Sequence, residues 1–386
     1  MPDSTFAGLG LSVVGLGTQY PAHSLRAADV DALSKRFYTD SPAMAKVMSI
    51  NRAAGIESRA SIAPPEDPMY NQENAPSIAD LHKIFIREGV PLAISAAKKA
   101  IKESALELDR ITHVVSATCT DSANPGFDHS VVKGLGITHQ VEKVLLHGVG
   151  CSGGLAALRT AANLALGHTA RGLPARVLCV TLEINTPMVR SELDSIQESQ
   201  QVRIAACLFS DAATAVVLSN GIGEQAEPVY ELLGWDHRII PDTESELGFD
   251  VDPAGWKAVL TPRVPQVTAA AILPTFEDLL AALPPLPPPY TAATDFDWVL
   301  HPGGPAILVN AERALGITRQ HLRASYDVYV NRGNSGSATI YSVLDRLRCM
   351  VADTSSDNEG RREYIVACAF GPGVAVEMCI LRRRAP

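Results

Sequence analysis

Long apolar runs and blocks of basic residues are both missing from this sequence of 386 residues. No uncharged apolar stretch reaches the roughly 20 residues that a membrane-spanning helix needs, and the N-terminus lacks the basic start and apolar core of a secretory signal. The formal net charge is −9, and the one concentrated basic stretch is the terminal LRRRAP. Because nucleic-acid-binding proteins carry a basic patch, these absences predict a cytoplasmic protein with no membrane span and no nucleic-acid partner.

Paired cysteines of the metal-binding or redox kind are also missing. The seven cysteines include no CxxC pair, the usual spacing in zinc sites and redox dithiols. Six of them lie in or beside apolar segments, where cysteine acts as a small buried hydrophobe: Cys119, Cys179, Cys207, Cys349, Cys368 and Cys379. The segment GLGTQY lacks the third glycine of the dinucleotide-binding motif GxGxxG. We therefore predict no metal ligands and no redox cofactor.

Apolar runs and helix-like stretches alternate along the chain. Short β-branched runs such as LSVVGLG, RVLCVTLE, DVYVN and YIVACAF are separated by stretches rich in alanine and leucine with helical spacing. Near-continuous apolar strands between helices are typical of proteins whose sheets are covered on both faces. The predicted fold class is therefore α/β.

One internal repeat organises this pattern. The segments GVGCSGGLAALRTAANLA and NRGNSGSATIYSVLDRLR each pass from a predicted strand through a Gly/Ser-rich turn into a helix. Cys151 and Asn334 occupy equivalent positions in the two segments. This predicts two duplicated α/β halves, residues 1–224 and 225–386, whose two helix N-termini face a shared site.

Cys151 stands between glycines where a helix is predicted to begin. The positive end of a helix and its unpaired N–H groups favour a thiolate, and glycine lets a substrate approach the backbone closely. A tight turn with a passive cysteine explains the same residues. The local pattern leaves both interpretations open.

Two further polar residues stand at the ends of predicted elements. His301 ends an apolar strand before PGGP, and Asn334 begins a helix. Alone, the histidine is explained as a partly buried core residue and the asparagine as an ordinary helix N-cap. Together with Cys151 they suit acyl transfer, because a thiolate can carry an acyl group while His and Asn N–H groups stabilise a developing oxyanion. That chemistry needs neither a metal nor a redox cofactor.

The motifs GCSGG, HPGGPAI, GNSGSA and FGPG, in this order over nearly the whole chain, resemble those of type III polyketide synthases, the chalcone-synthase-like branch of the thiolase superfamily. The resemblance implies a five-layered αβαβα thiolase-like fold, a homodimer, and a tunnel for coenzyme A. It also implies acyl-CoA and malonyl-CoA as substrates. Cys151 would be the acyl-carrying nucleophile, and His301 and Asn334 would form the oxyanion hole.

Other roles follow from the same resemblance. Phe209, in LFSDAA, would be the gatekeeping phenylalanine between tunnel and cavity. A cavity wall would be formed by Phe370, Gly371, Pro372 and Gly373, and coenzyme A phosphates would be bound by Lys46, Arg52 and Arg59. Each of these groups also has a purely structural explanation. Phe209 could be a core aromatic residue, the FGPG segment could be a tight turn between two strands, and the three basic side chains could simply be solvated.

Departures from the plant members narrow the expected substrate. GCSGGL replaces GCFAGG, Ala258 stands where a second gatekeeping phenylalanine is usual, and Met188 stands in place of threonine. Ala258 in place of phenylalanine enlarges the expected substrate cavity, and Met188 in place of the smaller threonine fills part of the added space. The sequence is more similar to fungal and bacterial members, so we expect an aliphatic starter and an alkylpyrone or alkylresorcinol product.

Three alternatives stay open at this point. A single-condensation ketoacyl synthase III shares the Cys, His and Asn logic but typically carries a different sequence after the histidine. A papain-like cysteine hydrolase has the same residue order but lacks the repeated turn and helix. A non-catalytic binding protein of the thiolase fold would tolerate replacement of Cys151.

Overall fold

Strands and helices alternate over most of the chain. The computed structural model describes residues 5–223, 226–253, 255–353 and 362–384. The strands are β1 (Leu11–Gln19), β2 (His23–Leu25), β3 (Arg59–Ser61), β4 (His113–Ala117), β5 (Glu142–Leu146), β6 (Arg176–Glu183), β7 (Ala212–Ser219), β8 (Tyr230–Ile239), β9 (Leu247–Asp252), β10 (Gly255–Leu260), β11 (Asp297–Leu300), β12 (Tyr364–Gly371) and β13 (Ala375–Arg383). The α-helices are α1 (Ala27–Phe37), α2 (Pro42–Ala53), α3 (Pro68–Asn71), α4 (Ile78–Ile84), α5 (Val90–Ser104), α6 (Phe127–Leu135), α7 (Gly153–Thr169), α8 (Val189–Ser199), α9 (Ala205–Leu208), α10 (Val264–Ala282), α11 (Pro305–Leu315), α12 (Arg323–Arg332) and α13 (Thr339–Asp353).

Nine strands form one mixed sheet in the order β11-β12-β13-β8-β1-β7-β6-β4-β5. The strands of the N-terminal half lie on one side of this order and those of the C-terminal half on the other. The halves meet where Leu11–Val13 of β1 pairs antiparallel with Tyr230–Leu232 of β8. The two halves therefore share a sheet, and the predicted boundary at residues 224 and 225 itself lies outside the described residues.

Helices lie outside both halves of the sheet and also between them. α5 and α6 pack on the outer face of the N-terminal half, and α10 and α11 cover the outer face of the C-terminal half. α7 and α13 share one apolar core with strands of both halves. The structure thus confirms the predicted α/β fold class and the five-layered αβαβα arrangement.

Small residues allow the outer helix α5 to lie close to β1. Buried alanines recur along its inner face at Ala93, Ala96, Ala97 and Ala100, the i, i+3, i+4 spacing of an amphipathic helix. Opposite them, a Cβ on Gly15 would lie 2.0 Å from the backbone oxygen of Ala100. The short distance between α5 and β1 in the N-terminal half therefore requires glycine at position 15.

Most apolar runs predicted as strands do form strands, and DVYVN is the exception. It lies in α12, whose buried residues Ala324, Ser325, Val328 and Tyr329 recur at helical spacing. Its β-branched and aromatic residues favour a strand locally, but packing of α12 against β11 and α13 decides the outcome. The second segment of the repeat therefore enters its turn from a helix and not from a strand. The two segments correspond only from the Gly/Ser-rich turn onward.

No helix of the described residues is long and apolar enough to cross a membrane.

Candidate active site

A single 3-10 turn, Gly150–Ser152, carries Cys151 and leads into α7. We call it the cysteine turn. Gly150 has a φ of 45°, a left-handed conformation that glycine adopts without strain. A Cβ on Gly150 would also lie 2.6 Å from Cδ of Pro372. Glycine is therefore required here both by backbone conformation and by the packing of the FGPG segment.

A second 3-10 turn, Gly336–Ala338, follows Asn334 and leads into α13. We call it the asparagine turn. A Cβ on Gly153 would lie 2.8 Å from Cβ of Ser337, and one on Gly154 would lie 2.4 Å from Cγ2 of Ile340. The starts of α7 and α13 are thus packed against each other, which confirms that the repeat brings two helix N-termini to one site.

Asn334 has its side-chain amide oriented by its neighbours. The backbone N–H of Gly336 donates to its Oδ1 at 2.9 Å, so the Nδ2 group faces the other way. Asn334 Nδ2 lies 3.5 Å from the carbonyl oxygen of Gly303, and the side chain lines the same cavity as the thiol of Cys151, whose pKa it lowers. Backbone bonds to Leu208 and Ser210 hold the residue in place. Asn334 therefore presents an N–H donor beside the candidate nucleophile.

His301 follows β11 and is 2% exposed. Its backbone N–H donates to the carbonyl of Cys368 at 2.8 Å, which extends the pairing of β11 with β12. Neither ring nitrogen has a hydrogen-bond partner, and burial lowers the pKa of the imidazole to about 3. A neutral ring with unpaired nitrogens can accept a proton on one side and donate one on the other.

These three side chains line one apolar cavity. Its wall also contains Phe209, Ala258, Phe370 and Pro372, four of the residues predicted to bind substrate. The remaining lining is formed mainly by aliphatic and glycine residues, among them Leu208, Leu247, Gly248, Val259, Leu260, Val264, Gly303 and Ile307. The cavity therefore suits a hydrocarbon chain with its reacting end at Cys151.

Cys151 is half-buried, and its sulfur is held as a thiol rather than as a thiolate. Desolvation and, to a smaller extent, the Glu183 carboxylate raise its pKa, Asn334 lowers it, and the net result is a pKa of about 12. The sequence predicts a thiolate from the helix N-terminus, but desolvation in the apolar cavity outweighs that effect. The nucleophile therefore needs a base in the site, and His301 is the neutral imidazole that lines the same cavity.

Glu183 is a site residue that the sequence analysis missed. It is fully buried at the end of β6 and accepts hydrogen bonds from Ser337 Oγ at 2.5 Å, Thr120 Oγ1 at 2.9 Å and the N–H of Cys119 at 3.1 Å. Burial raises its pKa, and these donors lower it. An acidic residue that ends an apolar strand, as in RVLCVTLE, is the signal that could have found it.

Phe209 is paired with a second aromatic that the sequence analysis also missed. The ring of Phe249 lies 6.0 Å from that of Phe209 at an interplanar angle of 30°. Phe249 is the direct cross-strand partner of Ala258 in the β9–β10 hairpin, so the two side chains share one face. The aromatic group absent at position 258 is therefore supplied from the opposite strand.

Met188 lies beside the main cavity rather than in it. It lines a neighbouring small pocket, which shares Ala205, Phe209 and Phe249 with the main cavity. The buried Glu192 lines the same pocket, and its Oε1 accepts from the N–H of Ala258 at 2.9 Å. Burial raises the pKa of this carboxyl. The two Phe rings thus separate the site of chemistry from a second space.

The FGPG segment supports the cysteine turn. Phe370 and Pro372 line the cavity, whereas Gly371 and Gly373 do not. A Cβ on Gly371 would lie 2.3 Å from Oγ of Ser152, and the N–H of Gly373 donates to the carbonyl of Leu247 at 2.8 Å. These two glycines therefore position the wall without forming it.

The three basic residues expected to bind coenzyme A have different environments. Lys46 and Arg52 are exposed on α2, and Arg52 pairs with Asp31 at 2.7 Å. Arg59 is only 2% exposed, and its Nη1 donates to the carbonyls of Ala206 and Phe209. The expectation for Arg59 is corrected, because a guanidinium buried under the Phe209 segment is not available to a phosphate in solution.

Comparisons with known proteins agree with this geometry. Residues 12–222 match the model for the N-terminal domain of chalcone and stilbene synthases, and residues 231–384 match that for the C-terminal domain. The type III polyketide synthase pspB of Penicillium soppii is 41% identical over 97% of this chain and 96% of its own. The acylalkylpyrone synthase csyB of Aspergillus oryzae is 37% identical over 99% of this chain and 97% of its own.

Solved structures are similar over the same extent. The fungal type III polyketide synthase ORAS superimposes with a TM-score of 0.95 at 58% identity, covering 97% of this chain and 100% of that one. CsyB in complex with CoA-SH superimposes with a TM-score of 0.93 at 37% identity and the same coverage. The papain-like alternative is thereby wrong. The chain belongs to the chalcone and stilbene synthase family, and it is a type III polyketide synthase, an acyltransferase most like the fungal members.

Proposed function

We propose that the chain loads an aliphatic acyl-CoA on Cys151, extends it with malonyl-CoA, and cyclises the product to an alkylpyrone or alkylresorcinol. The observation that carries the proposal is that Cys151, His301 and Asn334 line one apolar cavity. The Asn334 amide is oriented there by the N–H of Gly336, and neither ring nitrogen of His301 has a hydrogen-bond partner among the described residues. This arrangement offers a nucleophile, a base and two donors within one apolar space.

The loading step needs a proton acceptor because Cys151 is a thiol. His301 takes the proton as Sγ attacks the acyl-CoA carbonyl, and it returns the proton to the leaving coenzyme A sulfur. The products are an acyl thioester on Cys151 and free CoA-SH. Burial of His301 keeps the imidazole neutral before this step, which is the state that a general base requires.

The extension step forms a carbon–carbon bond. Malonyl-CoA loses carbon dioxide to give an enolate, whose oxygen accepts from Asn334 Nδ2–H and from the N–H of neutral His301. The enolate carbon then attacks the thioester on Cys151, and the cysteine sulfur leaves as thiolate. Because both donors are fixed by the fold, they stabilise the developing charge without reorganisation.

The aliphatic starter is supported by the apolar wall. The cavity places Leu260, Val264 and Ile307 among its lining residues, and none of these offers a hydrogen bond to a phenolic starter. One relative is named an acylalkylpyrone synthase, which supports pyrone formation as the mode of ring closure. A single condensation is the alternative, and only the product can separate the two.

Coenzyme A and a second copy of this chain are the proposed partners. A CoA-SH complex exists for CsyB, and Lys46 remains the exposed candidate for a phosphate contact. The edge strand β5 is paired only with β4 among the described strands, which supports a homodimer formed by pairing of two β5 strands. The cytoplasmic location stays a prediction.

Product analysis tests the proposed function. The purified chain is incubated with malonyl-CoA and a panel of acyl-CoAs from short to long, and products are identified by mass spectrometry. We expect products with more than one extender unit and a preference for aliphatic starters, and we expect no acylated protein from Cys151→Ala. A product with one extender unit would favour the ketoacyl synthase III alternative, and full synthesis by Cys151→Ala would contradict the role of the cysteine.

A further inference from the structure

A cluster of two histidines and a glutamate lies at the far end of the nucleophile helix. His113 begins β4, Glu142 begins the neighbouring β5 in direct register with it, and His168 lies in the last turn of α7. One ligand atom from each of the three lies within 4.8 Å of the other two. Because α7 has 17 residues and a helix rises about 1.5 Å per residue, the cluster is roughly 25 Å from Cys151.

Thr112 holds the imidazole of His113 by its Nδ1 atom. Thr112 Oγ1 lies 2.7 Å from His113 Nδ1, and the same oxygen accepts from the N–H of Arg176 at 2.9 Å. His113 Nε2 is buried and has no hydrogen-bond partner among the described residues. Nε2 is therefore the ring atom left for a ligand, and a bound cation would select the tautomer with its lone pair there.

His168 is oriented in the same way. Its Nδ1 lies 3.1 Å from the carbonyl oxygen of Pro174, which can only accept, so the proton is on Nδ1 and the lone pair on Nε2. The two imidazole rings are edge-to-face with centroids 4.6 Å apart. Both histidines thus have the second-shell bond that fixes a metal-binding imidazole.

Glu142 adds a carboxylate to the two imidazoles. Its Oε2 lies 3.8 Å from His113 Nε2, too far for a hydrogen bond. The unpartnered Nε2 of the buried His113, the ring of His168 and the Glu142 carboxylate thus meet at one place, with one ligand atom of each within 4.8 Å of the other two.

We propose that His113 Nε2, His168 Nε2 and Glu142 bind one divalent transition-metal cation of the zinc class. Two imidazoles and a carboxylate are a known protein ligand set for Zn²⁺, with ligand distances of about 2.0–2.2 Å and an open fourth position for water. Such ligands lie about 3.4 Å apart around a tetrahedral ion. The ligand atoms of the cluster lie up to 4.8 Å apart, somewhat farther than this spacing. The side chain of Glu142 is 72% exposed and can move toward the two imidazoles by a change of rotamer, without a shift of the backbone.

The ion would join α7 to two strands at the edge of the sheet. His168 belongs to the helix, whereas His113 and Glu142 belong to β4 and β5. Imidazole nitrogens favour Zn²⁺ over Mg²⁺ and Ca²⁺, which prefer oxygen ligands. The bound ion therefore acts as a clamp on the helix that carries the nucleophile, outside the cavity itself.

Metal binding is measured on the full chain in a Cys349→Ser background, because the exposed thiol of Cys349 would also take up Zn²⁺. After chelator treatment and dialysis, Zn²⁺ is titrated by calorimetry, Co²⁺ by visible absorption, and Mg²⁺ serves as the control ion. His168→Gln and Glu142→Gln remove one ligand each from exposed or half-exposed positions. His129→Gln, at an exposed histidine of α6 outside the cluster, is the matched control.

We expect one Zn²⁺ per chain in the parent and in His129→Gln, tetrahedral Co²⁺ absorption, and a rise in Tm with Zn²⁺. His168→Gln and Glu142→Gln are expected to bind Zn²⁺ at least about tenfold more weakly, since even outer-shell changes cost about 10- to 100-fold. Equal Zn²⁺ binding by His168→Gln and the parent, or no stoichiometric Zn²⁺ in the parent, would overturn the proposal. These measurements use no CoA substrate, so they are independent of the proposed function.

Discussion

At the scale of single residues, the site is built from groups whose uncharged forms are reinforced by burial. The pKa of Cys151 is raised to about 12 and that of His301 is lowered to about 3. A thiol and a neutral imidazole already predominate at pH 7, because the ordinary pKa values are about 8.5 and about 6.5. Desolvation by the apolar cavity extends both forms over a wider pH range, so the wall proposed to bind the substrate also affects the protonation of the site.

The titration of His301 predicts a pH dependence of stability. The ordinary pKa of histidine is about 6.5, so between that pH and about 3 the unfolded chain binds a proton that the folded chain does not. The free energy of unfolding therefore falls as the pH falls through this window, by about 1.4 kcal/mol per pH unit well below 6.5. Above pH 7 the histidine contributes nothing to the slope.

Urea unfolding of the parent and of His301→Gln from pH 4 to 8 checks this prediction. The free energy of unfolding of the parent, relative to that of His301→Gln, is expected to fall as the pH falls below 6.5. Above pH 7 the difference between the two proteins is expected to be constant. In the same variant, malonyl-CoA decarboxylation is expected to fall by about 100- to 1,000-fold, the usual effect of losing one oxyanion donor. A level difference over the whole range would show that His301 titrates normally in the folded chain.

The roles of individual residues were predictable from sequence only where a local motif carries them. Cys151 and Asn334 stand in repeated Gly/Ser-rich turns, and His301 stands in HPGGP. Glu183 and Phe249 have no such motif, because their partners come from distant parts of the chain. Long-range contacts of this kind leave no periodic signal.

At the scale of elements, the contact between α7 and α13 leaves no room for a methyl group. An Ala at position 154 would place Cβ 2.4 Å from Ile340 Cγ2 and 2.8 Å from the carbonyl oxygen of Ser337. We expect Gly154→Ala to lower the free energy of unfolding by about 1–3 kcal/mol, the usual cost of overpacking. Acyl loading should fall as well, because the cysteine turn and the asparagine turn lead directly into the two helices at this contact.

Gly167 is a control for Gly154 within the same helix. A Cβ at this position meets nothing within 4 Å, so Gly167→Ala is expected to stabilise the chain by up to about 1 kcal/mol through helix propensity. Urea unfolding midpoints of the two variants are compared with the parent. Equal effects of the two substitutions would contradict a close contact between α7 and α13.

The β9–β10 hairpin predicts how the cavity responds to a larger side chain. Because Ala258 and Phe249 are cross-strand partners, Ala258→Phe adds a second ring beside the first and fills the cavity. We expect shorter accepted starters or shorter products, and the reverse for Phe249→Ala, measured by mass spectrometry with the acyl-CoA panel. Unchanged chain lengths in both variants would show that this face of the hairpin does not limit the substrate.

Elements were predicted best where apolar runs are buried on both faces. The strands of the central sheet are nearly all such runs, whereas α12 has β-branched residues and was expected to be a strand. Its helical state depends on packing against α13 and β11, which no local pattern describes. The hairpin strands β9 and β10 were missed because they are short, partly exposed and outside the sheet.

At the scale of the whole molecule, the N-terminal half ends in the edge strand β5. An exposed edge has unpaired backbone groups that favour association with another strand. We expect light scattering to give twice the chain mass of 41.1 kDa at assay concentration. A mass of one chain would contradict the homodimer while leaving the active site intact, since Cys151, His301 and Asn334 all come from one chain.

The fold as a whole was predictable because the duplication is visible in the sequence. The two Gly/Ser-rich turns predict two helices that begin side by side, and α7 and α13 do share one apolar core. The spacing between the helix layers and the sheet was not predictable, because it depends on long-range contacts such as that of Gly15 with Ala100.

The β9–β10 hairpin is a separate two-stranded sheet, joined to the rest by side chains such as Glu192 and by the packing of its edges. The proposed nucleophile, Cys151, and the proposed oxyanion donors, His301 and Asn334, lie instead on turns beside elements of the two halves of the fold. We therefore expect the hairpin to be exchangeable between relatives without loss of the reaction. A chimera that takes residues 247–260 from a relative is expected to have the donor's range of product lengths and the host's turnover.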